Sequence, residues 1–102
     1  MRIVIDQDQG PVRVLRCAGE LDFETVPLLQ REGERLARTS GVETLVLDVS
    51  GVTFADSSAL NCFLILHRQT HLVIGGPLPV NLARLLSITG ADQVLTLADD
   101  AS

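Results

Sequence analysis

The sequence predicts an α/β fold, a mostly parallel mixed sheet with an antiparallel N-terminal strand and about three helices. Three observations predict it. Short apolar stretches alternate with helix-periodic stretches in the order β-β-α-β-α-β-α-β, and that alternation implies parallel pairing with right-handed crossovers. The first two strands follow each other too closely for anything but a hairpin. The run Thr44–Val49 (TLVLDV) is almost unbroken in its apolar character, which belongs to a central strand covered on both faces or to a parallel sheet.

Each element has its own signal. Residues Arg2 to Asp6 alternate around Ile3 and Ile5, and Gln9-Gly10-Pro11 turns the chain into a second alternating stretch, Val12 to about Ala18. Gly19-Glu20-Leu21-Asp22 is expected to break that strand. A helix from about Thr25 to Arg38 follows, with Thr25 as N-cap and Pro27 in the first turn, where its missing N–H costs nothing. Val26, Leu29 and Leu36 form its buried stripe, Arg31, Glu32, Glu34 and Arg35 face water, and Gly33 falls on the stripe as a point of close approach.

After TLVLDV a short polar loop leads to a second helix, about Ser57 to Arg68, and then a buried strand, Leu72 to Ile74. Gly75-Gly76-Pro77 turns into a third helix with Leu82, Leu85, Leu86 and Thr89 on one face and Gly90 as its stop. Val94 to Leu97 is the last strand, and the acidic tail, about 99–102, is expected to fray. The 102 residues make one domain.

Composition excludes several function classes. A net charge of −5, from 13 acidic and 8 basic residues, repels phosphate backbones and anionic lipid, so neither nucleic acid nor a membrane surface is expected as a partner. There is no Trp or Tyr and only 3 Phe, too few aromatic rings for stacking on single-stranded nucleic acid. No apolar run reaches the length of a membrane span and the N-terminus reads as a strand, so the cytoplasm is the expected compartment. Cys17 and Cys62 sit among apolar neighbours and read as buried free thiols.

The most informative segment is Asp48 to Leu60 (DVSGVTFADSSAL), where a buried strand gives way to a helix at Asp56-Ser57-Ser58. That puts a hydroxyl at the carboxyl edge of a parallel sheet, the edge where α/β proteins place their sites. A phosphate there would meet free backbone N–H groups and the positive end of the helix dipole. Position alone leaves two readings open. Asp56, Ser57 or Ser58 caps the helix, or Ser57 carries a function beyond capping.

Four segments in order weigh on that choice. Gly19-Glu20-Leu21-Asp22, Leu47-Asp48-Val49-Ser50, Phe54-Ala55-Asp56-Ser57-Ser58-Ala59-Leu60 and Leu86-Ser87-Ile88-Thr89-Gly90-Ala91-Asp92 together resemble the STAS domain, in particular the bacterial anti-sigma factor antagonists. The resemblance covers nearly the whole chain. It implies a phosphoacceptor at Ser57, modified by an anti-sigma factor that is also a serine kinase, with release on phosphorylation and resetting by a phosphatase. It implies a partner-binding surface over Asp22, Asp56, Ser57, Ser58 and Asn61, with Asp22 contacting or positioning the kinase; a solvated Asp22 capping the first helix is the alternative. Ala59 and Asn61 stand where the family commonly has glycine, the connection Arg68–His71 is shorter than usual, and the family's C-terminal helix is not expected here.

The second helix adds a separate argument. Leu60, Phe63, Leu64 and His67 share the face expected to pack on the sheet, yet Cys62, Ile65 and Leu66 leave few polar positions around it. Such a helix needs burial on more than one side, by a neighbouring helix, a partner or a second copy of the chain in a homodimer.

Enzymatic and metal chemistry are set aside. Adjacent Asp56 and Ser57 cannot sandwich His67, and no G-x-S-x-G elbow is present. His67 and His71 lack a third ligand, and Gly75-Gly76-Pro77 lacks the lysine and spacing of a phosphate loop. No cofactor and no metal are expected. The leading reading is therefore a regulatory binding protein and not an enzyme, against a STAS subunit that is not phosphorylated, such as the small partner of a transport ATPase or a scaffold.

Overall fold

The computed structural model describes residues 2–5 and 10–98. Strands β1 (Arg2–Ile5) and β2 (Val12–Leu21) precede α1 (Val26–Ala37), β3 (Thr44–Ala55), α2 (Ser57–Gln69), β4 (His71–Gly75) and α3 (Val80–Thr89). A 3₁₀ turn, Ala91–Gln93, leads to β5 (Thr96–Leu97). The five strands lie in chain order, with β1 antiparallel to β2 and every later pair parallel. The fold class and the order of elements are those the sequence predicts; the tail at 99–102 lies outside the described residues.

The core follows from the two-residue period of the strands. Leu15, Cys17, Leu45, Leu47, Val49, Leu72 and Ile74 point to one side and merge with helix residues into a single buried cluster. The alternate positions Val14, Arg16, Val46, Asp48 and Val73 face away and are half-buried or exposed. TLVLDV is thus continuously apolar because its strand is central and parallel, although helices cover only one of its faces.

Helix α1 buries Val26, Leu29, Gly33 and Leu36. A Cβ at Gly33 would lie 2.7 Å from Leu66 Cδ1, so the missing side chain is what lets α1 approach α2. Gly90 ends α3 with φ +80, the left-handed conformation that glycine adopts without steric cost. Among the described residues no helix is long and apolar enough to cross a membrane.

Several boundaries differ from the sequence expectation. Gly19-Glu20-Leu21 does not break β2, and the expected polar loop after Val49 is strand to Ala55. Two β-bulges explain both. Arg16 pairs with Asp48 but Ala18 with Gly51, and Gly19 pairs with Val52 but Glu20 with Phe54, so β3 twice spends an extra residue. Asp48 Oδ1 pins the first bulge by accepting hydrogen bonds from the Ser50 amide at 3.0 Å and the Ser50 hydroxyl at 2.8 Å. After the bulges Val52 and Ala55 return to the core side.

The buried face of α2 is Ala59, Cys62, Phe63 and Leu66, not the predicted Leu60, Phe63, Leu64 and His67. The lines i, i+3, i+4 and i+7 run one position earlier, because α1 covers the Leu66 side; Leu60 and Leu64 pack on the core from its margin. The last strand is shorter than expected, since the chain first makes the 3₁₀ turn after Gly90.

Cys17 and Cys62 are both buried free thiols. Burial pushes each thiol up to about 12 from 9.0, with the Asp48 charge adding to the effect at Cys17 and the Cys17 and Glu34 charges adding to it at Cys62. Folding therefore favours the protonated thiols. Their contribution is complete below the unfolded value near 9 and is lost as pH rises from there towards 12. Native protein at pH 8 is expected to react with a disulfide reagent at least about tenfold more slowly than denaturant-unfolded protein, which a thiol titration with and without denaturant checks.

Candidate partner-binding site

The carboxyl ends of β2 and β3 place the predicted residues at one sheet edge. Leu21 pairs with Ala55, and the Asp56 amide donates to the Leu21 carbonyl at 3.1 Å. The turn that begins at Asp22 and the turn that begins at Asp56 therefore leave the sheet side by side. Ser57 is the first residue of α2 and is exposed, Ser58 is half-buried, and Asn61 is exposed one turn further along.

Asp56 is the helix cap. Its backbone is extended, with φ −116 and ψ −169, and its Oδ1 accepts a hydrogen bond from the Ser58 amide at 2.8 Å. Among the described residues the Ser57 hydroxyl makes no hydrogen bond, so it is not needed to start the helix. The expectation of several free N–H groups at this end needs correcting. The Ser58 amide is held by Asp56 Oδ1, and the Ala59 and Leu60 amides both donate to the Asp56 carbonyl, at 3.0 and 3.4 Å. A group added to Ser57 meets a turn whose donors are largely taken, next in sequence to the Asp56 carboxylate that holds the Ser58 amide. Asp56→Ala is expected to cost about 0.5–2 kcal/mol of stability, measurable by urea denaturation, whereas Asp56→Asn keeps a capping oxygen and loses little.

Asp22 is half-buried and organises its own turn. Its Oδ1 accepts from the Glu24 and Thr25 amides at 3.0 and 3.1 Å, and its carbonyl accepts from the Val26 amide at 2.8 Å. Thr25, expected as a side-chain cap, makes no such bond to α1. Its hydroxyl instead donates to the Glu20 carbonyl at 2.8 Å and accepts from the Asp22 amide at 2.9 Å. Asp22 thus opens α1 by shaping the turn before it.

Three residues that the sequence reading did not single out as contact residues join this edge. Phe23 is 73% exposed beside Asp22, Phe54 is 45% exposed on β3 opposite Glu20, and Asn81 reaches across from α3 to the Ala55 amide. Two exposed rings in a chain with 3 Phe are the signal that could have marked the surface, since aromatic side chains are enriched where proteins dock. A groove of about 200 Å³ lined by Arg2, Arg16, Cys17, Ala18, Asp48, Ser50 and Gly51 lies mid-sheet rather than at Ser57.

Hydrolase geometry is not formed. His67 lies in the last turn of α2, about 15 Å along the helix axis from Ser57. His71 opens β4, so the two imidazoles do not share a helix face.

The STAS domain family model matches residues 2–101. The chain is a STAS domain. Solved structures similar to this STAS domain include an anti-sigma factor antagonist from Mycobacterium paratuberculosis, 24% identical with a TM-score of 0.83, covering 97% of this chain and 86% of that one. The anti-sigma factor antagonist SpoIIAA in its unphosphorylated form is 18% identical with a TM-score of 0.78, over 97% of this chain and 90% of that one. The Bacillus cell fate determinant SpoIIAA in its phosphorylated form is 18% identical with a TM-score of 0.70, over 97% and 93%. At these identities the likeness is one of fold.

Proposed function

We propose that this STAS domain is an anti-sigma factor antagonist, a binding protein and not an enzyme, whose contact with an anti-sigma factor is controlled at Ser57. Unphosphorylated, it docks on an anti-sigma factor that is also a serine kinase, through Asp22, Asp56, Ser57, Ser58 and Asn61 with Phe23 and Phe54 at the rim. Phosphorylation of Ser57 releases it, and a phosphatase resets it.

The observation that carries this reading is the exposed hydroxyl of Ser57, without a hydrogen bond among the described residues, at a turn that Asp56 already caps. A phosphate there adds close to two negative charges beside the Asp56 carboxylate, in a turn with few donors left to offset them. On a packed interface those charges must be desolvated without an internal partner, so the complex opens. Membership of the STAS family and the likeness to antagonists seen with and without phosphate support the same reading.

Incubation with each serine-kinase anti-sigma factor of the host and ATP, followed by intact mass, tests it. One added phosphate on the wild type and none on Ser57→Ala is the expected result. Equal modification of both, or of neither by every kinase, overturns the proposal and leaves the STAS subunit or scaffold.

A further inference from the structure

Strand β3 is longer than its neighbour on one side. Its residues Thr44–Asp48 pair with His71–Gly75 of β4, and there β4 ends. On the other side β2 continues to pair with β3 as far as Ala55. The end of β3 therefore overhangs, with backbone groups on its β4 side that no strand carbonyl reaches. Ala55 is 3% exposed, and a buried amide without an acceptor is costly.

Asn81 supplies the acceptor. It is the second residue of α3, and its Oδ1 accepts a hydrogen bond from the Ala55 amide at 2.7 Å, across 26 positions of sequence. The next amide, Asp56, donates the opposite way, to the Leu21 carbonyl of β2. The two residues before Ser57 are thus held from both sides, one by a side chain of α3 and one by β2. Asp56 then fixes the first turn of α2 through the Ser58 amide. The Asn81 side chain does not cap its own helix; α3 starts at Val80, and Pro79 stands at its N-cap with no side-chain cap bond.

We infer that Asn81 is a positioning residue for Ser57: its amide oxygen replaces the missing strand beside Ala55 and fixes the point from which the Ser57 hydroxyl is presented. This inference rests on the proposed role of Ser57 for its functional consequence, but not for its structural one. The acceptor atom matters and the amide nitrogen does not, so Asn81→Asp keeps the bond while Asn81→Ala and Asn81→Leu remove it.

Two measurements test it together. Amide hydrogen exchange by NMR is expected to show faster exchange of residues 55–58, about tenfold or more, in Asn81→Ala and Asn81→Leu. The amides of Leu45 and Leu47 should keep wild-type protection in both, and Asn81→Asp should restore the site. With a kinase that modifies the wild type, kcat/KM for Ser57 phosphorylation should fall at least about tenfold in Asn81→Ala and return in Asn81→Asp. Unchanged exchange at Ala55, or unchanged phosphorylation despite faster exchange, overturns the inference. If no kinase modifies the wild type, the reading of Ser57 fails and the exchange pattern alone upholds or overturns the role of Asn81 in holding this edge.

Discussion

Ser57→Asp is expected to weaken binding to the anti-sigma factor by about 100-fold or more, while Ser57→Ala leaves affinity within a few-fold of wild type. The difference lies in what the interface must desolvate. Alanine removes a hydroxyl that makes no hydrogen bond among the described residues, so little is lost. Aspartate puts a charge next to Asp56, whose own carboxylate already holds the Ser58 amide, and no cation among the described residues is positioned there by an ion pair. Titration calorimetry against the anti-sigma factor separates the variants. Asp56→Asn combined with Ser57→Asp should recover part of the loss, because one of two adjacent negative charges is gone.

Phe63→Ala is expected to produce the largest loss of stability among single truncations, about 3–5 kcal/mol. Phe63 is fully buried and heads the large side chains of the core. It stands on α2 beside Cys62 and Leu66, where the helix meets both the sheet and α1. For a domain of 102 residues, that loss corresponds to a fall in melting temperature on the order of 15 °C or more, read by thermal unfolding followed by circular dichroism. The core is aliphatic apart from this ring, so no neighbouring aromatic side chain can fill the space it leaves. Ser57 lies at the exposed start of the same helix, so at temperatures where the variant stays folded its phosphorylation should change far less than its stability.

The order of strands and helices was legible because each element carries its own period, and Gly33 inside α1 and Gly90 at the end of α3 are places where only glycine fits without collision or strain. What was lost was lost for identifiable reasons. The two bulges break the alternation of β3 after Asp48, so Ser50-Gly51-Val52-Thr53 reads as loop although it is strand, with Gly51 and Val52 paired to Ala18 and Gly19 of β2. Helix α2 is apolar on nearly every side, and periodicity then fixes that a helix exists but not which face it buries. The candidate site was legible where chemistry and position coincide, at Asp56-Ser57-Ser58 on a strand-to-helix turn. Asn81 was not, because its partner is a backbone amide 26 residues away and its type gives no hint of tertiary pairing. Asp22 stood out in the sequence only as a candidate, while its service to the turn before α1 emerges from the hydrogen bonds to Glu24 and Thr25.

The most direct measurement compares the affinity of one anti-sigma factor for the unmodified chain and for the same chain phosphorylated only at Ser57. Tight binding of the first and loss of binding by about 100-fold or more in the second is the predicted result. Equal affinity of the two forms would contradict the account, because the hydroxyl at the head of α2 would then carry no switch.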